Sequence, residues 1–137
     1  MDDGGLSLPF NLARRLLDHA RAELPNEACA LLGGDEAGAR ATSLHLARNR
    51  LGSPYRYDVE PDDLVRIVHD IEARGEGLVA IFHSHPGSAP VPSLSDLREA
   101  RYPVVHLVAG LADPGAPTIR AWRIAADGAH EVALRVG

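Results

Sequence analysis

Apolar residues recur at helical spacing between Pro9 and Leu24, where Leu12, Leu16, Leu17, Ala20 and Leu24 share one stripe. Ser7 or a neighbour can cap the start of this helix, and Pro25 stops it. The pattern then changes period. Ala28 to Leu32 is a short continuous apolar run closed by Gly33-Gly34, as in a buried strand, and Arg40 to Ala47 alternates as a second strand should. Asn49 to Asp58, with Gly52, Pro54 and two tyrosines, reads as a loop or extended segment. A second helix opens at Pro61, because proline's fixed φ suits the first helical position and Asp62 and Asp63 complement the positive end of the dipole. Leu64, Ile67, Val68 and Ile71 form its apolar stripe up to Gly75. Leu78 to Phe82 is a strand running into His83-Ser84-His85. Pro86 to Pro92 holds three prolines and a glycine, which makes it a loop. A third helix is expected from about Ser93 to Arg101, ending before Pro103, followed by strands at Val104 to Val108, Thr118 to Ala125 and Ala129 to Val136. No internal repeat is visible. Strands and helices alternate first and a hairpin closes the chain, so the expectation is a single α/β domain over residues 1–137, a mixed β-sheet flanked by α-helices.

Composition narrows the class of function. The chain has 137 residues, and 14 basic against 19 acidic side chains give a net charge of −5. That balance argues against a nucleic-acid partner, since neutralising phosphates needs a basic face. All 14 basic residues are arginine, and no function is drawn from that bias. Cys29 is the only cysteine, so neither an internal disulfide nor a cysteine cage for zinc can form, and its apolar neighbours make it a small core residue. The N-terminus, Met1-Asp2-Asp3-Gly4-Gly5, lacks the apolar region of a secretory signal, and no apolar run approaches the ~18–20 residues of a membrane span. The expectation is a cytoplasmic protein with no membrane partner.

The chemistry concentrates in His83-Ser84-His85 and the segment that follows. In a strand, residues i and i+2 point to one face, so both imidazoles can converge on a single ion. Asp96, at the start of the next helix, would complete a His2Asp set and leave a fourth tetrahedral position for water, as catalytic zinc sites do. A His-x-His pair alone is weak, expected by chance roughly a third of the time. Adding a serine eight and an aspartate eleven residues after the second histidine lowers the chance to on the order of one in a thousand. Ser93-Leu94-Ser95-Asp96 also fits a capping box for the third helix. A hydrolytic site needs a base, and Glu27 is the best candidate, because a carboxylate at the mouth of an apolar strand is costly to bury unpaired. A surface glutamate beside the Pro25 turn is the competing reading.

Glu27 in its Pro-x-Glu-Ala-Cys setting, with His83-Ser84-His85, Ser93 and Asp96, resembles the JAMM motif of the JAB/MPN+ zinc metalloproteases. The resemblance runs from about His19 to Val108, includes the linking segment Asn49 to Tyr57, and is strongest to bacterial single-domain members acting on ubiquitin-like or sulfur-carrier proteins. Ala30 departs from it, standing where many relatives carry glycine. The resemblance implies a cytidine-deaminase-like (JAB1/MPN) fold, with one Zn2+ per chain held by His83, His85 and Asp96. It implies that Glu27 is the general base, passing its proton to the leaving amine, and that Ser93 donates a hydrogen bond to the oxyanion. The implied substrate is the amide after the C-terminal glycine of a β-grasp carrier, whose slim tail could add to an exposed strand edge. Substrate-binding residues and oligomeric state are not specified. Tyr55 and Tyr57 could line the tail groove or merely pack at the loop edge; Arg98 and Arg101 could meet an acidic partner or face solvent. The other histidines (His19, His45, His69, His106 and His130) lack ligand-like spacing. A non-catalytic binding module is the alternative, against which the intact ligand set argues. A nucleobase deaminase is excluded, because it needs Glu at position 85 and a Pro-Cys-x-x-Cys motif.

Overall fold

The computed structural model describes residues 3–137; Met1 and Asp2, which begin the acidic N-terminus noted above, lie outside the described residues. In chain order the elements are β1 (Leu6–Leu8), α1 (Phe10–Ala22), β2 (Cys29–Asp35), β3 (Arg40–Ala47), α2 (Pro61–Ala73), β4 (Gly77–His85), α3 (Leu94–Glu99), β5 (Val105–Gly110), β6 (Thr118–Ala125), β7 (Gly128–Val132) and β8 (Leu134–Val136). The strands form one mixed sheet in the order β7-β6-β5-β4-β2-β3-β1-β8. β4 runs parallel to β5, and β1 parallel to β3 and β8; the other pairs are antiparallel. β7 and β8 lie at opposite margins of the sheet, yet only Ala133 separates them in the chain. The sheet therefore curls until its margins nearly meet, and Leu6 N–H of β1 donates to the carbonyl of the linking Ala133 at 3.0 Å.

Central strands buried on both faces need apolar residues in succession, as β2 and β4 have. Ala28, Ala30 and Leu32 turn to one side with Ala80, Phe82 and Leu107, and meet Leu12, Leu16 and Ala20 of α1. Cys29 and Leu31 turn to the other side and pack with Ile67 and Ile71 of α2. Residues 27, 29 and 31 alternate with this first set, as do 81, 83 and 85 on β4, so Glu27 and both imidazoles belong to the α2 side of the sheet.

The mixed sheet and flanking helices agree with the pattern of the sequence, while several boundaries differ, α3 ending at Glu99 and β5 running on to Gly110 among them. β1 has only three residues, too few to display alternation, and exists because β3 and β8 pair with it. Pro9, not Ser7, occupies the N-cap of α1, with no side-chain cap bond, and the helix ends at Ala22. β2 continues through Gly33-Gly34, which are bulged strand positions rather than a turn. An added Cβ at Gly34 would meet the Arg40 carbonyl oxygen at 2.0 Å, so close approach of the neighbouring backbone explains glycine there. The last apolar run, read as one strand, divides at Ala133 between the two margins.

Candidate active site

His83 and His85 end β4 on one face, and α3 delivers Asp96 across from them. The three groups present His83 Nε2, His85 Nε2 and Asp96 Oδ2 at mutual distances of 3.0, 3.1 and 3.2 Å. Asp96 reaches this point through a complete capping box: Asp96 N–H donates to Ser93 Oγ at 3.1 Å, and Ser93 N–H donates to Asp96 Oδ2 at 2.8 Å. The capping and ligand readings of Ser93 to Asp96 are thus compatible, since the cap aims the carboxylate. Ser93 Oγ accepts one bond in this arrangement and keeps its own proton to donate.

The donor set fits a metal. His85 Nδ1 lies 2.9 Å from the Ala89 carbonyl, which can only accept, so the neutral ring carries its proton on Nδ1 and turns the Nε2 lone pair toward Asp96. His83 Nε2 lies 3.0 Å from the same carboxylate oxygen, and with its proton likewise on Nδ1 two imidazole lone pairs and a carboxylate would face one point, where a cation fits. Ligands at ~2.0–2.1 Å from a tetrahedral zinc are ~3.3–3.4 Å apart, close to the triangle found here. Electrostatics agree. Asp96 is held well below the carboxylate range: burial opposes ionisation, but the two imidazoles and the Ser93 N–H outweigh it. Burial lowers the His83 pKa; at His85 burial also lowers it, but Asp96 and the Ala89 carbonyl more than compensate and the net shift is upward.

Glu27 stands just before β2, and it is buried. Among the described residues its Oε1 has no hydrogen-bond partner, and burial, partly opposed by His85, pushes its pKa from 4.5 to about 8. One carboxylate oxygen lies with a nitrogen of His83 and of His85 within 4.8 Å of one another. Close, yet bonded to neither ring, it is placed to receive a proton.

Several supports were not legible in the sequence. Ser84, between the two histidines, points to the opposite face and accepts a hydrogen bond from Ala28 N–H at 2.8 Å, tying the residue after Glu27 to the histidine strand. Asn49 donates to the Glu27 carbonyl and to the Arg56 carbonyl, both at 3.1 Å, so it fastens the 49–59 segment to Glu27. Tyr57 stacks on His83, ring centroids 4.5 Å apart and planes 18° apart, whereas Tyr55 is exposed. A cleft of about 450 Å³ begins beside Asp96 and Tyr57, floored by Leu31, Ile81 and His106 and walled by the 50–59 segment and residues 99–102, Arg101 among them. His106 is buried with Nε2 unpartnered; Arg98 is exposed.

Fold and site together define a JAMM-type hydrolase. The family profile of prokaryotic homologs of the JAB domain matches residues 9–125, and the chain belongs to that family. A desampylase from Haloferax volcanii is 35% identical over 114 residues, 79% of this chain and 82% of the relative. A CysO-cysteine peptidase from Mycobacterium tuberculosis is 32% identical over 90% of this chain and 85% of its own. A protein from Desulfitobacterium hafniense, solved in solution, superposes with a TM-score of 0.88 at 32% identity, covering 96% and 92% of the two chains. A JAB1/MPN domain protein from Archaeoglobus fulgidus, at 19% identity and a TM-score of 0.63 over 96% of each chain, shares the fold.

Proposed function

We propose that this chain is a zinc-dependent peptidase or isopeptidase that hydrolyses the amide after the C-terminal glycine of a ubiquitin-like or sulfur-carrier protein. The observation that carries the reading is the convergence of His83, His85 and Asp96 on one point with an unpartnered, buried Glu27 beside it. The named activities of relatives support the substrate class: a desampylase, a CysO-cysteine peptidase and a probable TtuB-protein conjugate cleaving protease from Thermus thermophilus.

His83, His85 and Asp96 would hold the zinc, which when bound polarises a carbonyl and acidifies water. Glu27 takes the proton of the attacking water: burial raises its proton affinity, and the charge of a bound zinc would keep the carboxylate ionised until it does so. As water's oxygen adds to the carbonyl carbon, the Ser93 hydroxyl donates to the carbonyl oxygen that gains charge. The C–N bond then breaks and Glu27 returns its proton to the departing amine, leaving a free glycine carboxylate. The carrier tail reaches the centre through the cleft walled by the 50–59 segment and residues 99–102. Glycine is favoured at its end because Tyr57, stacked on His83, narrows the approach.

The test is to incubate zinc-loaded protein with β-grasp carriers bearing a cysteine adduct, a lysine conjugate or a tail extension, and to read intact masses. Cleavage after the terminal glycine, abolished by Glu27→Gln, is the expected result. Tight binding of a carrier without cleavage, by a purified protein that takes up no zinc, would replace this reading with a non-catalytic carrier-binding module.

A further inference from the structure

We propose that Trp122, on β6, is a positioning residue for His85: its indole N–H pins the loop whose Ala89 carbonyl selects the imidazole tautomer that frees Nε2 for a metal. The inference rests on reading His83, His85 and Asp96 as ligands.

The two imidazoles are oriented by different devices. His83 has no partner at Nδ1 and is held by the stacked ring of Tyr57. His85, on the side away from Asp96, is oriented by the hydrogen bond from Nδ1 to the Ala89 carbonyl at 2.9 Å. That carbonyl belongs to the proline-rich segment 86–92, which has no strand or helix ladder to fix it. What fixes it is a set of ties from outside. Trp122 Nε1–H donates to the Pro90 carbonyl, the next one along the chain, at 3.0 Å. The Pro90 ring rests on Gly110, where an added Cβ would come within 2.7 Å of Pro90 Cδ and 3.0 Å of the Ser88 oxygen. Gly110 is the register partner of His85 on β5, and Leu111 N–H closes the loop base by donating to the His85 carbonyl at 3.0 Å. Val91 N–H gives the Ala89 oxygen a second donor at 2.8 Å.

Trp122 is itself held in place. It is buried, the Arg120 guanidinium lies 4.9 Å over its ring, and both ends of that guanidinium fork donate to Glu131 at 2.7 Å. A rigid indole thus transmits the position of the β6–β7 hairpin to a carbonyl beside the site. Partners that orient metal-ligating histidines are worth about 10–100-fold in metal affinity. Trp122 acts one peptide away from the orienting carbonyl, so the lower end, about tenfold, is the expected size.

Trp122→Phe keeps a ring beneath Arg120 and removes the N–H. Zinc affinity is measured by competition with a chromophoric chelator, and the His85 tautomer by the NMR shifts of its ring nitrogens in metal-free protein. Expected are zinc binding about tenfold weaker, a His85 signal no longer confined to the Nδ1–H tautomer, and carrier cleavage with unchanged KM, its kcat recovered at saturating zinc. Gly110→Ala, which pushes Pro90 away, should move both readouts in the same direction. If Trp122→Phe lowers only the melting temperature, with zinc affinity and tautomer as in the parent, Trp122 is a core residue and the inference fails. If the parent binds no zinc but Trp122→Phe still shifts the tautomer, the positioning role stands and the ligand reading falls.

Discussion

Glu27→Gln separates what the buried carboxyl does for catalysis from what it costs the fold. Glu27 is 3% exposed, its Oε1 has no partner, and burial raises its pKa from 4.5 to about 8. A carboxyl that binds its proton more tightly folded than unfolded subtracts stability as pH rises. The penalty begins near the unfolded value of 4.5 and is complete above the folded value of about 8. At 1.36 kcal/mol per unit, the metal-free parent loses on the order of 3 kcal/mol between pH 4.5 and 7 that the glutamine variant keeps. The buried amide has a desolvation cost of its own, but that cost does not vary with pH, so the slope is the diagnostic quantity. Thermal melts of both metal-free proteins should diverge with rising pH, the difference shifting by about 10 °C in the variant's favour between pH 4.5 and 7. Cleavage should fall by about 10²–10⁴-fold with zinc stoichiometry retained. Parallel melting curves across pH 4.5–8.5 would refute the burial argument, and undiminished cleavage would refute the assignment of the base.

His85→Ala removes one corner of the ligand triangle, so zinc content measured by elemental analysis should fall from about one per chain to near zero and activity should vanish with it. In the parent, a chelator should stop cleavage and added zinc restore it. Asp63, on the first turn of α2, accepts from Arg48 N–H, Nε and Nη2 at 2.9, 3.0 and 3.0 Å, and these bonds lower its pKa from 3.8 to about 2. Asp63→Asn should destabilise by about 1–2 kcal/mol at neutral pH, and the gap should close as pH falls from about 4 to about 2, read by denaturant melts. Cys29 is buried, with burial pushing its thiol up to about 12, so a thiol reagent should label it only after denaturation.

The proposed ligand groups stand out in the sequence because their chemistry is local in the chain. Two histidines at strand spacing, and a serine and an aspartate at capping spacing, announce themselves without tertiary knowledge, and the cap turns out to be what aims the carboxylate. Glu27, taken without the family resemblance, is legible only as an oddity, a charge at the mouth of an apolar run. The supports were not legible, for a physical reason: they work through backbone carbonyls. The Ala89 carbonyl that sets His85 and the Glu27 carbonyl that Asn49 grips carry no residue signature, and their partners come from distant segments. Trp122 reads in the sequence as one more residue of a late strand, although its indole reaches the loop beside His85. The same limit hid β1 and the division at Ala133, where pairing partners far along the chain, rather than local alternation, decide the structure. Side chains that meet a substrate or ion are constrained in type and so leave a pattern. Groups that position them are constrained only in place, which a linear pattern does not record.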